Sequence, residues 1–143
     1  MTKQTTKEEI WQKATAYCAK SEHCTQELRE KLWQWGCREE SWREEILCRL
    51  KEEEYIDEER YCRAYVHDKV AYQGWGRVKI RMMLLAKNIN ETTVEQALGG
   101  INEEEYGKAL NKALNKYMGD REKQIRLALQ RGFEYEEIKK LLS

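Results

Sequence analysis

Residues 74–90 read GWGRVKIRMMLLAKNIN, and the conformation of this stretch decides the fold. Its RVKIR segment alternates charged and apolar residues as a surface strand does, whereas the MMLLA segment that follows has the composition of a helix. The two glycines at the start are typical of a loop that binds phosphate. However, no strand signal precedes them, and the lysine and hydroxyl of a phosphate loop do not follow, so that interpretation is excluded. The choice between strand and helix depends on the rest of the chain.

The composition favours a folded helical protein. The 143 residues include 26 Lys+Arg and 26 Asp+Glu, so no net charge indicates a nucleic-acid or membrane partner. Five tryptophans and eight tyrosines supply the apolar anchors that disordered chains lack, and the absence of proline favours long helices. The five cysteines form no Cys-x-x-Cys, no apolar run could span a membrane, and residues 1–4 are not apolar like a signal peptide. We therefore expect a cytoplasmic protein without a disulfide framework.

Signals that begin and end helices recur along the chain. A hydroxyl residue followed three positions later by glutamate can satisfy the first free amides of a helix, and asparagine or aspartate can do so alone. Glycine and asparagine end helices because both tolerate the left-handed backbone conformation. The predicted starts are the capping boxes Thr6–Glu9, Ser41–Glu44 and Thr92–Glu95 and the single caps Asp57, Asn90, Asn102 and Asp120, and the predicted stops are Gly36, Asn88 and Gly132.

Placing the three stops in one column reveals an internal repeat. The spacing is 52 residues from Gly36 to Asn88 and 44 residues from Asn88 to Gly132. Counting outward without gaps aligns apolar or small residues in further columns, with Gln124 as the exception. These columns are Ile10/Cys62/Tyr106, Ala14/Val66/Leu110, Cys18/Val70/Leu114, Leu28/Ile80/Gln124, Leu32/Leu84/Ala128, Cys37/Ile89/Phe133, Trp42/Val94/Ile138 and Ile46/Leu98/Leu142.

The column spacing predicts an all-α fold. Positions four apart share one face of a helix, so RVKIRMMLLA is predicted to be a helix that buries Ile80 and Leu84. Each repeat is helix, helix, turn, helix, and repeats of this kind stack on their neighbours. We therefore expect an elongated tandem array of three three-helix modules, at residues 1–56, 57–101 and 102–143.

Four segments, in order along nearly the whole chain, resemble patterns of the RecX family, the bacterial regulators of the RecA recombinase. They are Ser21 with ELREKL at residues 27–32 and Gly36, the junction LKEEEYIDEERY at residues 50–61, Gly74 to Ile80, and Arg131-Gly132-Phe133. The junction departs from the family pattern at Glu54, which replaces a glycine, and at Glu58, which replaces an aspartate.

The resemblance implies a modular helical protein with no catalytic site and no cofactor. Such a protein would bind in the groove of the RecA filament on single-stranded DNA and damp its recombinase, ATPase and coprotease activities. We expect a monomer, with neither a small-molecule substrate nor a membrane partner.

Two groups of residues are candidates for a metal or acid–base site. The acidic residues 52–54 and 57–59 have no histidine nearby and do not converge, so a solvated helix end followed by an N-cap is favoured. The zinc candidates are Cys18, His23, Cys24, Cys37 and His67. They lack the close ligand pairs of structural zinc sites, and Cys18, Cys37 and Cys62 occupy core columns. No metal and no catalytic residue is predicted.

Tryptophans are candidates for stacking on bases. Trp33 and Trp35 lie about 200° apart on a helix, so one of them is a candidate contact residue. Trp42 occupies a core column, and Trp75 is expected at a module junction.

The zero net charge hides an alternation of charge along the chain. Residues 61–90 carry a balance of +5 and residues 106–143 a balance of +4, while residues 50–60 and 91–105 are acidic. A basic helix is either a solubilising face or a contact for phosphates or acidic partner surfaces. The predicted partner- or DNA-binding residues are Arg77, Lys79, Arg81, Arg121, Lys123, Arg126 and Arg131.

The leading hypothesis is a non-enzymatic modulator of RecA–DNA filaments that contacts single-stranded DNA directly or through the filament. One alternative is a helical nucleic-acid-binding module without a RecA role, and another is a protein–protein adaptor. Binding through phosphates weakens steeply with salt, which separates these hypotheses in part.

Overall fold

The computed structural model describes residues 6–143, which form nine α-helices and no strand. The helices are α1 (Lys7–Lys20), α2 (Thr25–Gln34), α3 (Glu40–Glu52), α4 (Glu58–Ala71), α5 (Arg77–Ala86), α6 (Glu91–Gly99), α7 (Glu103–Asn115), α8 (Arg121–Gln130) and α9 (Tyr135–Leu142). The prediction of an all-α protein built from three-helix modules is confirmed, and RVKIRMMLLA is the helix α5. None of the helices in this part of the chain has the length and apolar character needed to cross a membrane.

The described chain divides into two compact units. Unit 1 ends at Tyr61 and unit 2 begins at Cys62, so the division falls inside α4. Unit 1 holds α1 to α3 with the first turn of α4, and unit 2 holds the remaining helices. The predicted module boundaries after residues 56 and 101 come from the sequence repeat, whereas the division at Tyr61 comes from the compactness of the structure. The module boundaries therefore stay a prediction.

The repeat columns supply the cores of both units. Every column residue is buried or half-buried, and Leu28, Leu32, Ile80 and Leu84 are 0% exposed. Burial of one such side chain contributes roughly 1.5–3 kcal/mol. Gln124, the polar exception, is buried as well, and its side-chain nitrogen Nε2 donates to the carbonyl oxygen of Leu114 at 2.7 Å. That hydrogen bond offsets the cost of burying an amide.

Most of the predicted helix ends are confirmed. Thr6, Asn90, Asn102 and Asp120 are N-caps whose side chains accept from backbone amides two or three residues later. The Asp57 side chain accepts in the same way from the Arg60 amide at 3.0 Å. The three predicted stops have the left-handed conformation, with φ of 95° at Gly36, 60° at Asn88 and 96° at Gly132.

Two of the predicted capping boxes are wrong. α3 begins one residue before Ser41, because the Arg43 amide already donates to the Glu39 carbonyl at 3.1 Å. α6 begins before Thr92, because Asn90 takes the Thr92 amide at 2.8 Å. The N-cap of each helix therefore lies two residues before the position that the Ser/Thr…Glu pattern indicates.

The junction between α3 and α4 contains a strained residue. Glu54 has a φ of 62°, a conformation that glycine adopts freely and other residues adopt at a cost. Arg60 closes the junction, since its Nη2 donates to the carbonyl oxygen of Glu54 at 3.1 Å and its Nε to Glu22 Oε1 at 2.6 Å. The glycine that the RecX pattern has at this position is therefore explained by the backbone.

A second backbone contact organises unit 2. The Gly76 amide donates to the Arg131 carbonyl at 2.7 Å, and the Val78 amide donates to the Gly132 carbonyl at 3.0 Å. A Cβ on Gly76 would lie 2.4 Å from the Gly132 carbonyl carbon, and a Cβ on Gly132 would lie 2.4 Å from Lys79 Cβ. Only glycine at both positions allows the turn before α5 to bond to the turn after α8.

Substitution of Glu54 by glycine should stabilise unit 1. The matched control is Glu54→Ala, which removes the same carboxylate and keeps the backbone strain. We expect Glu54→Gly to be the more stable of the two by about 1 kcal/mol, because relief of the strain outweighs the added entropy of the unfolded chain. Thermal unfolding followed by circular dichroism measures the difference, and equal midpoints for the two variants would contradict it.

Substitution of Gly76 by alanine should destabilise unit 2 through steric overlap alone. Gly76 and Gly100 have nearly the same φ, −90° and −87°, but a Cβ on Gly100 would meet nothing closer than 3.5 Å. We expect Gly76→Ala to lower the free energy of unfolding by roughly 1–3 kcal/mol and Gly100→Ala to change it by under about 1 kcal/mol. Urea denaturation measures the free energy of unfolding of both variants. Equal effects would show that the turn before α5 and the turn after α8 can move apart at little cost.

Candidate partner-binding surface

Arg77, the first residue of α5, is tied into unit 2 by two carboxylates. Its Nη2 lies 2.5 Å from Glu103 Oε1 and its Nη1 lies 3.4 Å from Glu137 Oε2. Its guanidinium carbon lies 4.1 Å from the centroid of the Tyr106 ring, and the side chain is only 20% exposed. A partner would have to break these contacts to bind the Arg77 guanidinium.

Tyr106 extends this network to the backbone of α5. Its hydroxyl accepts from the Arg77 amide at 3.0 Å and donates to Glu137 Oε1 at 3.3 Å. Burial raises the pKa of Tyr106 to about 12, so the hydroxyl stays protonated at neutral pH and remains a donor. The network joins the start of α5 to α7 and α9, and it has a structural role.

Arg81 is also engaged within unit 2. Its Nε lies 2.5 Å from Glu95 Oε1 and its Nη2 lies 3.3 Å from Glu95 Oε2, which is a two-point contact between α5 and α6. The hydrogen bond from Arg81 lowers the pKa of Glu95, so this carboxyl group stays ionised. The two side chains are 35% and 47% exposed, and solvent therefore weakens the pair.

Lys79 differs from the two arginines because it faces an aromatic ring. The Nζ atoms of Lys79 and Lys69 lie 4.2 Å and 4.7 Å from the centroid of the Trp75 indole, and the Trp75 ring meets Tyr65 edge-on at 6.5 Å. Neither lysine forms an ion pair within residues 6–143. Each ammonium group keeps donors free for an anion, since a ring face takes up positive charge without accepting all of its N–H groups.

The four predicted residues of the last module fall into two classes. Arg126 pairs with Glu122 at 3.1 Å on the exposed side of α8. Arg121 donates to the carbonyl oxygen of Leu142 at 3.2 Å, Lys123 lies 5.7 Å from the Tyr117 ring, and the Arg131 guanidinium lies beside Gly74. In the described chain no carboxylate pairs with Lys79, Arg121, Lys123 or Arg131, which we call the unpaired cations.

The outer face of α5 is apolar. Val78, Met82 and Leu85 follow a spacing that places them on one side of the helix, and they are 44%, 63% and 38% exposed. Because Arg77 and Arg81 are paired, α5 presents this apolar face beside the single unpaired cation Lys79. A contact role for all seven predicted residues stays a prediction. Arg77, Arg81 and Arg126 are paired with carboxylates, whereas the four unpaired cations can bind a partner without losing such a pair.

Trp33 is the accessible member of the tryptophan pair in unit 1. It is 50% exposed, and the guanidinium carbon of Arg38 lies 4.1 Å from its ring centroid. Trp35 packs against the unit 1 core and meets Tyr17 edge-on at 5.7 Å, and Trp42 packs against the same core. Stacking of Trp33 on a base stays a prediction.

Burial keeps two of the cysteines considered as zinc ligands protonated. Burial raises the pKa of the Cys18 and Cys24 thiols to about 11, so both are protonated at neutral pH and are poor nucleophiles and ligands. Glu58 in the junction accepts from the Thr25 hydroxyl at 2.5 Å. Between residues 6 and 143, no three His, Cys, Asp or Glu side chains are arranged to hold a metal ion.

The acids that pair with α5 were missed by reasoning from sequence. Glu95, Glu103 and Glu137 lie 14, 26 and 60 residues from their arginine partners. No local pattern links residues at such separations. The available signal was that Glu103 and Glu137 lie in the first turns of α7 and α9, where carboxylates favour the helix dipole.

Residues 57–98 match the sequence pattern of the second three-helix domain of RecX. The regulatory protein RecX of Pectobacterium atrosepticum is 31% identical over 144 residues, which cover 93% of this chain and 84% of that protein. The regulatory protein RecX of Vibrio parahaemolyticus is 30% identical over 132 residues, which cover 87% of this chain and 84% of that protein.

Two crystal structures of RecX proteins share the fold. One, described as regulatory protein RecX, has a TM-score of 0.78 and 22% identity and covers 94% of this chain and 73% of its own. The other, RecX from Lactobacillus salivarius, has a TM-score of 0.80 and 21% identity and covers 95% of this chain and 94% of its own.

Replacing Arg77 by methionine should destabilise unit 2 much more than replacing Arg126 by methionine. Methionine keeps most of the aliphatic stem, so each variant mainly removes the guanidinium. Loss of the half-buried Arg77 contacts should lower the free energy of unfolding by about 1–3 kcal/mol, whereas the exposed Arg126 pair should contribute about 0.5 kcal/mol or less. Urea unfolding by circular dichroism tests this, and equal effects would argue against a structural role for Arg77.

Proposed function

Because the chain belongs to the RecX family, we propose that it binds RecA filaments on single-stranded DNA in the bacterial cytoplasm and inhibits their recombinase, ATPase and coprotease activities. The regulation is non-enzymatic in this proposal: the chain acts by occupying filament surface, and it catalyses no reaction. The members to which it is similar are named regulatory proteins, which supports the regulatory part of the proposal.

The observation that carries the proposal is the separation of two chemical surfaces in unit 2. The unpaired cations supply positive charge for phosphates or acidic patches, and the apolar face of α5 supplies area that a protein surface can bury. A partner that combines protein with a phosphate backbone suits both surfaces. A filament of protein on single-stranded DNA is such a partner.

The mechanism that follows is steric and electrostatic. Unit 2 would dock its α5 face on protein, and the unpaired cations would hold the adjacent phosphates or carboxylates. A filament covered in this way cannot admit a second DNA strand, and it cannot pass freely between its active and inactive geometries. Pairing within the chain keeps Arg77 and Arg81 from competing for the same phosphates.

Titration of the chain into the single-strand-DNA-dependent ATPase reaction of its cognate RecA tests the proposal. We expect inhibition near stoichiometric amounts, weakening as salt is raised because part of the contact is electrostatic. Absence of inhibition at stoichiometric amounts would overturn the proposal. Binding of DNA without any effect on RecA would identify a nucleic-acid-binding module, and binding of neither would favour an adaptor.

A charge-reversal pair locates the contact. Lys79→Glu with Lys123→Glu should raise the concentration needed for half-inhibition by roughly tenfold. Lys139→Glu with Lys140→Glu makes the same charge change on the exposed side of α9 and should have a much smaller effect. Reversal of Arg77 or Arg81 is a poor test, because the new carboxylate would face Glu103, Glu137 or Glu95 and destabilise the fold. Equal losses for the two lysine pairs would show that overall charge, not this surface, decides inhibition.

A further inference from the structure

We propose that a cleft between the turn before α5 and helix α7 binds the phosphate backbone of single-stranded DNA, with Tyr72 stacking on a base at its edge. The choice of single-stranded DNA as ligand rests on the proposed function. The location and the residues rest on the geometry of unit 2, and two of the cations involved, Lys108 and Lys112, lie outside the set predicted from the sequence.

The cleft has a volume of ≈ 440 Å³ and lies wholly within unit 2. One wall is formed by residues 70–74, at the end of α4 and in the turn that follows. The other wall is formed by α7, and Arg131 lies at the end of α8. Its charged lining residues are Glu105, Lys108, Lys112 and Arg131. Three cations against one acid make the cleft electropositive.

These cations are available to a ligand. Lys112 and Arg131 form no ion pair within the described chain, and Lys108 is only 3.8 Å from Glu104 in a pair whose side chains are 76% and 81% exposed. An exposed pair of this length contributes little and exchanges readily with another anion. The cations of the cleft therefore outnumber the acids beside them, and Lys112 and Arg131 have no carboxylate partner in the described chain.

Arg131 lines the cleft beside the turn that contains Gly74. Its Nη1 would lie 3.7 Å from a Cβ on Gly74, so the guanidinium lies close against a turn that has no side chain there. Gly74 has a φ of 67°, a conformation that also favours glycine. Arg131 is a lining residue of the cleft, and a guanidinium edge binds two phosphate oxygens at once.

Tyr72 supplies the contact that distinguishes a nucleic acid from another anion. It lines the cleft, its side chain is 76% exposed, and its ring meets His67 edge-on at 6.1 Å. An exposed aromatic ring beside a row of cations is the arrangement by which proteins bind single strands without sequence preference. An acidic peptide would be attracted by the same cations but would leave the Tyr72 ring without a planar partner.

Fluorescence anisotropy with a labelled oligothymidylate of about 15 nucleotides tests the cleft in the absence of RecA. Lys112→Ala with Arg131→Ala should weaken binding at low salt by roughly tenfold or more and make the slope of log K against log salt shallower by about 1.4, which corresponds to two phosphate contacts. Tyr72→Ala should weaken binding by roughly tenfold through lost stacking. Lys139→Ala with Lys140→Ala is the charge-matched control and should change affinity by less than about twofold.

Several results would overturn the cleft. They are no binding of the oligonucleotide at low salt, equal losses for the cleft pair and the control pair, and displacement of the DNA by a glutamate-rich peptide together with no effect of Tyr72→Ala. If Arg131→Ala lowers helicity, Lys108→Glu with Lys112→Glu replaces it, since both lysines are exposed on α7.

The ATPase titration separates this inference from the proposed function. A chain that binds oligonucleotide through the cleft but leaves RecA active would support the cleft and overturn the proposed function. A chain that inhibits RecA but does not bind the oligonucleotide would support the proposed function and overturn the cleft as a DNA-binding site.

Discussion

The contact between Gly76 and Gly132 is the constraint on which the arrangement of unit 2 depends. Helices begin with amides that have no partner inside the helix, and a side chain usually satisfies them. At α5 the carbonyl groups of Arg131 and Gly132 do so instead, at 2.7 Å and 3.0 Å. That exchange requires two backbones to approach more closely than any Cβ allows. The start of α5 is thereby fixed against the end of α8, and the position of every side chain on α5 follows from it.

The same contact determines which basic side chains of α5 are bound by carboxylates of unit 2 and which remain accessible to a partner. Because the helix starts at this contact, Arg77 reaches Glu103, Glu137 and Tyr106, and its guanidinium holds α7 and α9 in place. Arg81, one turn later, binds Glu95 of α6. Helix α5, which has three basic residues and no acidic one, therefore offers a partner chiefly an apolar face. The accessible cations lie around Trp75 and along the cleft beside α7.

The motifs that carry the resemblance to RecX proteins are explained by backbone geometry. Gly76 and the Arg131-Gly132-Phe133 segment bond to each other, and Arg60 of the junction bonds to the carbonyl group of Glu54, which has a left-handed conformation. Such positions define the fold because few residues can occupy them. Residues that contact a partner have no comparable restriction, so motifs identify the family more readily than they identify its contact surface.

The sequence by itself determined the helices, their main caps and stops, and the core columns, because each depends on residues within about one turn of each other or on a repeat at fixed spacing. The wrong N-caps predicted at Ser41 and Thr92 were local errors as well, because each helix is capped by a residue two positions earlier. The availability of the charges was decided only by the tertiary structure. Whether Arg77 is paired depends on Glu137, 60 residues away, and Arg131 lines a cleft together with the turn at Gly74. Distances between side chains of different helices are set by packing, and no periodicity along the chain encodes them.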